Sequence, residues 1–242
     1  MDADKNHQTI ASPLSVPLDL SVRGLYGLAV KMLSASAAQW RPLLPVLLVL
    51  SVLYGAATMA LVALSAATGT PLALLTRDVA ATLGAKFYIG LLSNIGALLW
   101  CAAATTCFSG AAVLRRFVGQ RESAAFLLSS GALMTALGLD DFFMLHEVVY
   151  PRLGLQEGVV IVIYALGLLG LTLRYRVVLL GSDLLLWVVG CLLFLMSVLV
   201  DGFVPDATAF EDIPKAAGVC TWLCYYWRLA ISRVDAEAMP RG

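Results

Sequence analysis

Three short stretches hold the residues whose types and spacing could do chemistry: Leu139-Asp140-Asp141-Phe142-Phe143-Met144-Leu145-His146-Glu147, then Asp201, then Glu211-Asp212-Ile213-Pro214-Lys215. Carboxylates grouped with one histidine and one lysine can carry protons or offer hard oxygen ligands to a divalent cation. A one-helix metal motif is ruled out, because His146-Glu147 is followed by Val148-Val149-Tyr150 and lacks the second histidine of a zinc-binding HExxH helix. On a continuous helix Asp140 and Glu147 share a face with Phe143 and Met144 but lie about 10.5 Å apart along the axis, and Asp141 and His146 point about 140° apart. A site must therefore be assembled between helices. The candidate ion-binding residues are Asp140, Asp141, His146, Glu147 and Asp201, supported by Asn94, Ser197, Glu211, Asp212 and Lys215.

The electrostatic argument differs between the stretches. Asp140, Asp141, Glu147 and Asp201 fall near the C-terminal ends of apolar helical segments, where a carboxylate meets the negative end of the helix dipole. Something positive is expected to compensate them: Lys215, Arg152, a protonated His146, a proton on the carboxylate, or a bound cation. Ionisable groups at membrane depth cost about 2.5 to 3.5 kcal/mol each on insertion scales, so their presence there is a functional expectation. Glu211 and Asp212 instead open a helix, where a negative charge is favourable, with Pro214 expected in the first turn. Glu211 also precedes Lys215 by four, the favourable order for a helix ion pair. Ser197 and Asp201 share one helix face, and Glu211, Lys215, Gly218, Trp222 and Tyr225 form a stripe on another. Asn94 sits in a small-residue stripe with Gly90, Ala97, Cys101 and Thr105, which predicts interhelical hydrogen bonding. The run Trp222, Tyr225, Tyr226 and Trp227 reads as part of an interfacial aromatic belt.

The elements that must hold these residues follow from composition. The 242 residues are 60% hydrophobic and only 13% charged, with mean hydropathy +0.88, against about 25% charged for a soluble domain. That predicts an all-α, polytopic transmembrane helix bundle whose first partner is the lipid bilayer. A crossing helix needs roughly 20 apolar residues for about 30 Å of hydrocarbon. The sequence offers six candidates: 43–66, 87–114, 123–139 with its helix running on to Tyr150-Pro151, the short 158–173, 184–200, and 215–228 if its flanking bases reach the two surfaces. With both termini cytoplasmic, six spans leave twelve Lys and Arg inside and four outside, the asymmetry expected of a cytoplasmic face. The acids sort the other way, nine outside and seven inside, so the outer face is −5 and the inner +5. All three chemistry-bearing stretches then lie at the outer face.

Residues 1–40 form a cytoplasmic N-terminal segment with an amphipathic surface helix expected at 17–34, residues 41–232 the transmembrane domain, and 233–242 a cytoplasmic tail. A short helix is expected after Thr76. The 16 bases cancel the 16 acids, leaving no basic excess for nucleic acid, and no nucleotide-binding motif, internal repeat or cleaved signal peptide is expected. The five cysteines, Cys101, Cys107, Cys191, Cys220 and Cys224, lie in apolar runs and read as small helix-packing residues without a disulfide role.

Leu139-Asp140-Asp141 with Leu145-His146-Glu147, and Glu211-Asp212 with Lys215 and Gly218, resemble segments of an uncharacterised group of bacterial multi-pass membrane proteins. The resemblance covers roughly the C-terminal half, implies a bacterial cytoplasmic (inner) membrane location, and implies no activity. A more distant analogy is to the alkaline-ceramidase type of membrane hydrolase, which sets a zinc among Asp and several His at one membrane face. This chain has two histidines, and His7 lies in the polar tail, so neither a three-histidine zinc site nor a bis-histidine haem can be built. Three functions stay open: cation or proton binding for transport or sensing, an accessory subunit or homo-oligomer assembling with other membrane proteins, and a carboxylate-rich metal-dependent hydrolase.

Overall fold

A computed structural model describes residues 21–76, 79–86, 88–203 and 208–238, and every element among them is a helix. Four helical stretches are long and apolar enough to cross a membrane, Leu43–Thr68, Leu91–Leu114, Val118–Phe142 and Glu157–Arg174, and Leu184–Val200 is a shorter apolar one. The chain divides into two compact units, Met1–Gly84 and Ala85–Gly242.

The first unit is dominated by α1 (Val22–Thr68), 47 residues and hence about 70 Å of helix. The sequence predicts a surface helix separate from the first span, but the backbone runs through both without interruption. Residues 17–20 of that expected surface helix lie outside the described residues. Gly69 takes a left-handed conformation (φ 69°) after α1, and the Ser65 hydroxyl donates to the Thr70 carbonyl at 2.7 Å. Two short helices follow, α2 (Leu72–Leu75) and α3 (Val79–Leu83); α3 is the one expected after Thr76.

The second unit contains α4 (Leu91–Leu114), a single tight turn at Val118–Gln120, α5 (Arg121–Phe142), a wide turn at Leu145–Val149, α6 (Tyr150–Arg152), α7 (Glu157–Arg174), α8 (Arg176–Leu180), α9 (Leu184–Phe203) and α10 (Thr208–Ala238). α4 lies along α5 and α10, α10 lies along α9, and α7 packs on α5. The close approaches follow from small side chains. Gly96, Ala103, Ala104, Cys107, Gly110 and Ala111 form the buried face of α4, and a Cβ on Gly110 would come within 3.0 Å of both Ala230 and Leu127. Gly218 faces the α9 backbone, where an added Cβ would stand 3.2 Å from the Gly190 carbonyl. Trp222 fills the space over Gly190, its indole N–H donating to the Trp187 carbonyl at 3.3 Å.

Several expectations change here. Trp222, Tyr225 and Tyr226 are fully buried, and only Trp227 is exposed. They form a core rather than an interfacial belt, because the small residues of α4 and α9 leave room that aromatic rings fill: Phe126 and Trp187 meet at 5.7 Å between ring centroids and Trp187 and Trp222 at 5.8 Å. Cys107 is the buried packing thiol the sequence predicts, whereas Cys101, Cys220 and Cys224 are exposed. Asn94, Cys101 and Thr105 also face outward, since the buried stripe of α4 is the one through Gly96, Ala103 and Gly110. Pro214 lies inside α10 rather than in its first turn, because the helix begins at Thr208.

At the end of the unit where α5 starts and α10 finishes, polar side chains tie the helices together. Arg228 donates to Asp183 at 2.7 Å, Arg233 to the Gly181 carbonyl at 3.0 Å and the Gln120 amide to Glu237 at 3.0 Å.

Candidate functional site

The opposite end carries the chemistry-bearing stretches, and a break in α5 organises it. The apolar pattern predicts one helix from Ser123 to Tyr150. Instead α5 stops at Phe142, Met144 turns left-handed (φ 49°, ψ 45°), and the chain restarts as the wide turn Leu145–Val149. A left-handed non-glycine residue costs about 1 to 2 kcal/mol, so something must favour the reversal. On a continuous helix residues 140 and 146 would be about 9 Å apart along the axis and on different faces. The reversal folds His146 back onto the helix end, where its Nδ1 contacts Asp140 Oδ2. The shared face expected for Asp140 and Glu147 is lost with the helix: Asp140 is 4% exposed, and Glu147 is exposed.

The same end of α5 presents Asp141 to a second partner set. Lys215 Nζ donates to Asp141 Oδ1 at 3.1 Å and to Glu211 Oε1 at 3.0 Å, and pairs with Asp212 Oδ1 at 3.2 Å. The other oxygen of Asp141 accepts from the Trp100 indole N–H at 3.2 Å. Trp100 stands there because Gly138 opposes it: a Cβ at Gly138 would lie 2.7 Å from Trp100 Cβ. Asp141 thus draws α4, α5 and α10 to one point, and Lys215 serves three carboxylates. Dipole compensation at the helix start does not by itself account for Glu211, which is committed to the lysine.

Between these groups and the core lies a cavity of about 220 Å³. Asp140, Asp141, His146, Glu211, Lys215 and Ser197 supply its polar part, while Trp100, Tyr164, Phe194, Trp222 and the aliphatic side chains of α7 and α9 make apolar walls. Asp140 Oδ1 is buried and accepts no hydrogen bond of ordinary geometry from the described residues, with the Tyr164 hydroxyl close to the same carboxylate. His146 Nε2 lies 3.6 Å from Glu147 Oε1, so the imidazole stands between a buried acid and an exposed one.

The structure therefore brings together Asp140 with His146, and Asp141 with Lys215, Glu211 and Asp212, and it lines the cavity with Ser197. Among the described residues Glu147 meets the cluster through His146. Arg152, a candidate counter-charge, is exposed outside it. Asn94 belongs to a different surface, a groove between α4 and α5 shared with Cys101, Thr105, Phe108, Phe142 and Phe143. The Asp201 side chain lies outside the described residues. No group of three His, Cys, Asp or Glu among the described residues is disposed to hold a metal ion. Sequence reasoning missed Trp100, Tyr164 and Phe194; the signal available was large aromatics isolated within the apolar segments 87–114, 158–173 and 184–200.

No curated protein and no solved structure matches the chain. A family model described as a domain of unknown function, DUF8692, matches residues 43–229 and takes in both the carboxylate–histidine turn and the lysine cluster. The chain belongs to that family.

Proposed function

We propose that the Asp140–His146 pair is a cation site within the membrane, that a proton is the occupant its geometry fits best, and that the protein uses it for transport or sensing. One observation carries the reading. Asp140 is 4% exposed and lines the cavity, one of its oxygens is held by His146, and the other is buried with no hydrogen-bond partner among the described residues. A bare carboxylate in that position would bear the full desolvation cost of its charge, and a shared proton removes it. His146 then links the buried acid to Glu147 at the surface, a relay suited to an imidazole. Charge balance supports the same reading: Asp140, Asp141, Glu147, Glu211 and Asp212 meet one lysine and one histidine.

A hard divalent metal would draw on the same oxygens, but calcium takes roughly six to eight of them. The proton reading asks less of the ligand set. The reading includes six spans with both termini cytoplasmic in a bacterial inner membrane, supported by the twelve-to-four division of basic residues and by the resemblance to bacterial multi-pass proteins. The accessory-subunit reading has one observation in its favour, the outward-facing Asn94, Cys101 and Thr105 in a groove of about 710 Å³ that would suit another membrane helix.

The test is infrared difference spectroscopy on the full-length protein in nanodiscs, together with metal analysis. The expected result at neutral pH is a protonated-carboxyl band that Asp140→Asn removes and His146→Ala shifts, in a protein without stoichiometric metal. A stoichiometric metal lost in Asp140→Asn would replace the proton with a metal site. Neither band nor metal would leave the accessory reading.

A further inference from the structure

We infer that the cavity beside Asp140 binds a monovalent organic amine, an ammonium head on a compact hydrocarbon body, and that its arrival displaces the proton held by Asp140 and His146. The inference rests on the cation reading of that pair and adds the class of its ligand. Three features of the cavity support it.

The first is the orphan oxygen. Asp140 lines the cavity, its buried Oδ1 accepts no hydrogen bond of ordinary geometry from the described residues although the Tyr164 hydroxyl lies near the same carboxylate, and the cluster around it is already rich in carboxylates. A ligand that fits must bring an N–H donor and a positive charge, which an alkylammonium supplies in one group. Lys215 cannot serve, since its ammonium is occupied by Asp141, Glu211 and Asp212.

The second is the rest of the wall. Away from that end the lining is Leu137, Ile161, Leu168, Phe194 and Trp222, with the rings of Trp100 and Tyr164 beside the carboxylates. The apolar side chains offer an ion no oxygen, but they suit an apolar body next to a charged head, and aromatic rings tolerate an ammonium. A cavity of about 150 Å³ accepts benzene; at about 220 Å³ this one has room for an aromatic ring and a short aminoalkyl arm.

The third is access. Ala165 of α7 and Leu195 of α9 line the cavity and are also exposed on the outside. α7 packs on α5 instead of closing against α9. Val162 and Leu166 on α7 and Leu192 and Leu199 on α9 leave exposed apolar surface on both helices. An amphiphilic amine partitioned into the bilayer could reach Asp140 sideways, head towards the carboxylates and body among the rings. One positive charge enters as one proton leaves, so the site's charge is conserved.

The experiment uses the full-length protein in nanodiscs with 2-phenylethylamine as probe and 2-phenylethanol as its neutral counterpart. Binding is followed by Trp fluorescence and proton release by a pH indicator. The expected result is binding of the amine at least about tenfold tighter than the alcohol, the worth of one charge-assisted hydrogen bond, with one proton released per amine. Asp140→Asn should abolish both the preference and the release, and Leu168→Phe should weaken the amine. If the wild type shows the protonated Asp140 band but binds amine and alcohol alike, the inference is overturned and the cation reading stands. If the wild type shows neither the band nor the preference, both fall. The amine-to-alcohol comparison within the wild type decides even if Asp140→Asn fails to fold.

Discussion

Replacing Lys215 with methionine tests whether the α5–α10 junction is held by charge. The substitution keeps an unbranched apolar stem one atom shorter and removes the cation that Asp141, Glu211 and Asp212 share at 3.0 to 3.2 Å. The lysine side chain is 19% exposed, Asp141 23% and Glu211 21%, so solvent can replace only part of what is lost. Removing one partner of a buried pair costs about 3 to 5 kcal/mol, and an exposed pair is worth about 0 to 1. With side chains about four-fifths covered, the expected loss is roughly 2 to 4 kcal/mol by the same two figures. The assay is reversible unfolding in mixed micelles titrated with sodium dodecyl sulfate, comparing wild type, Lys215→Met, Asp141→Asn and the double variant. The double variant should be less destabilised than the sum of the singles, with a coupling of about 1 to 2 kcal/mol, within the range found for residues sharing a network. A loss under about 0.5 kcal/mol, the size of an ordinary surface substitution, or strictly additive singles would refute the claim that Lys215 organises this end.

Further outcomes follow from the same geometry. At Met144, whose φ is 49°, Met144→Ile should cost about 1 to 2 kcal/mol because a β-branched residue resists the left-handed region, while Met144→Gly should be no less stable than wild type; equal stabilities in the unfolding assay would count against the reversal. Gly138→Ala forces a methyl to within 2.7 Å of Trp100 Cβ, so it should cost about 1 to 3 kcal/mol as overpacking and alter Trp fluorescence by moving the indole off Asp141. The hydrogen bond from Arg228 holds the Asp183 carboxyl below its ordinary value. Its small contribution is therefore present above the unfolded value of about 3.9 and disappears as pH falls through the lower folded one. Asp183→Asn should accordingly be slightly destabilising at neutral pH and neutral in strong acid, and equal effects at both would refute the pairing. Reporter fusions after Gly69, Gly119, Leu155, Val177 and Gly242 should read out, in, out, in, in; a Gly242 fusion found outside would remove α10 from the count of spans.

Composition alone determined that this chain is a set of apolar helices, because a backbone in hydrocarbon must satisfy its own hydrogen bonds and needs a fixed length to do so. Residue type and position also marked the polar turns, since charge is costly wherever apolar residues surround it: Asp140, Asp141, His146, Glu211 and Lys215 were all legible, and so was the Glu211–Lys215 pair, which needs only helical spacing. What sequence could not supply was direction. Helical periodicity sends His146 away from Asp140, and only the reversal at Met144, a local cost met by a contact six residues back, joins them. Hydropathy cannot distinguish a tryptophan at an interface from one in a core, so Trp222, Tyr225 and Tyr226 read as a belt until the glycines facing them, Gly190 above all, were seen to leave space. Trp100 reaches Asp141 only because Gly138 lies opposite it on another helix. The cavity was illegible for the same reason: it is bounded by five helices, α4, α5, α7, α9 and α10, and the unpartnered oxygen of Asp140 is defined by which donors of the described residues the fold fails to bring within reach.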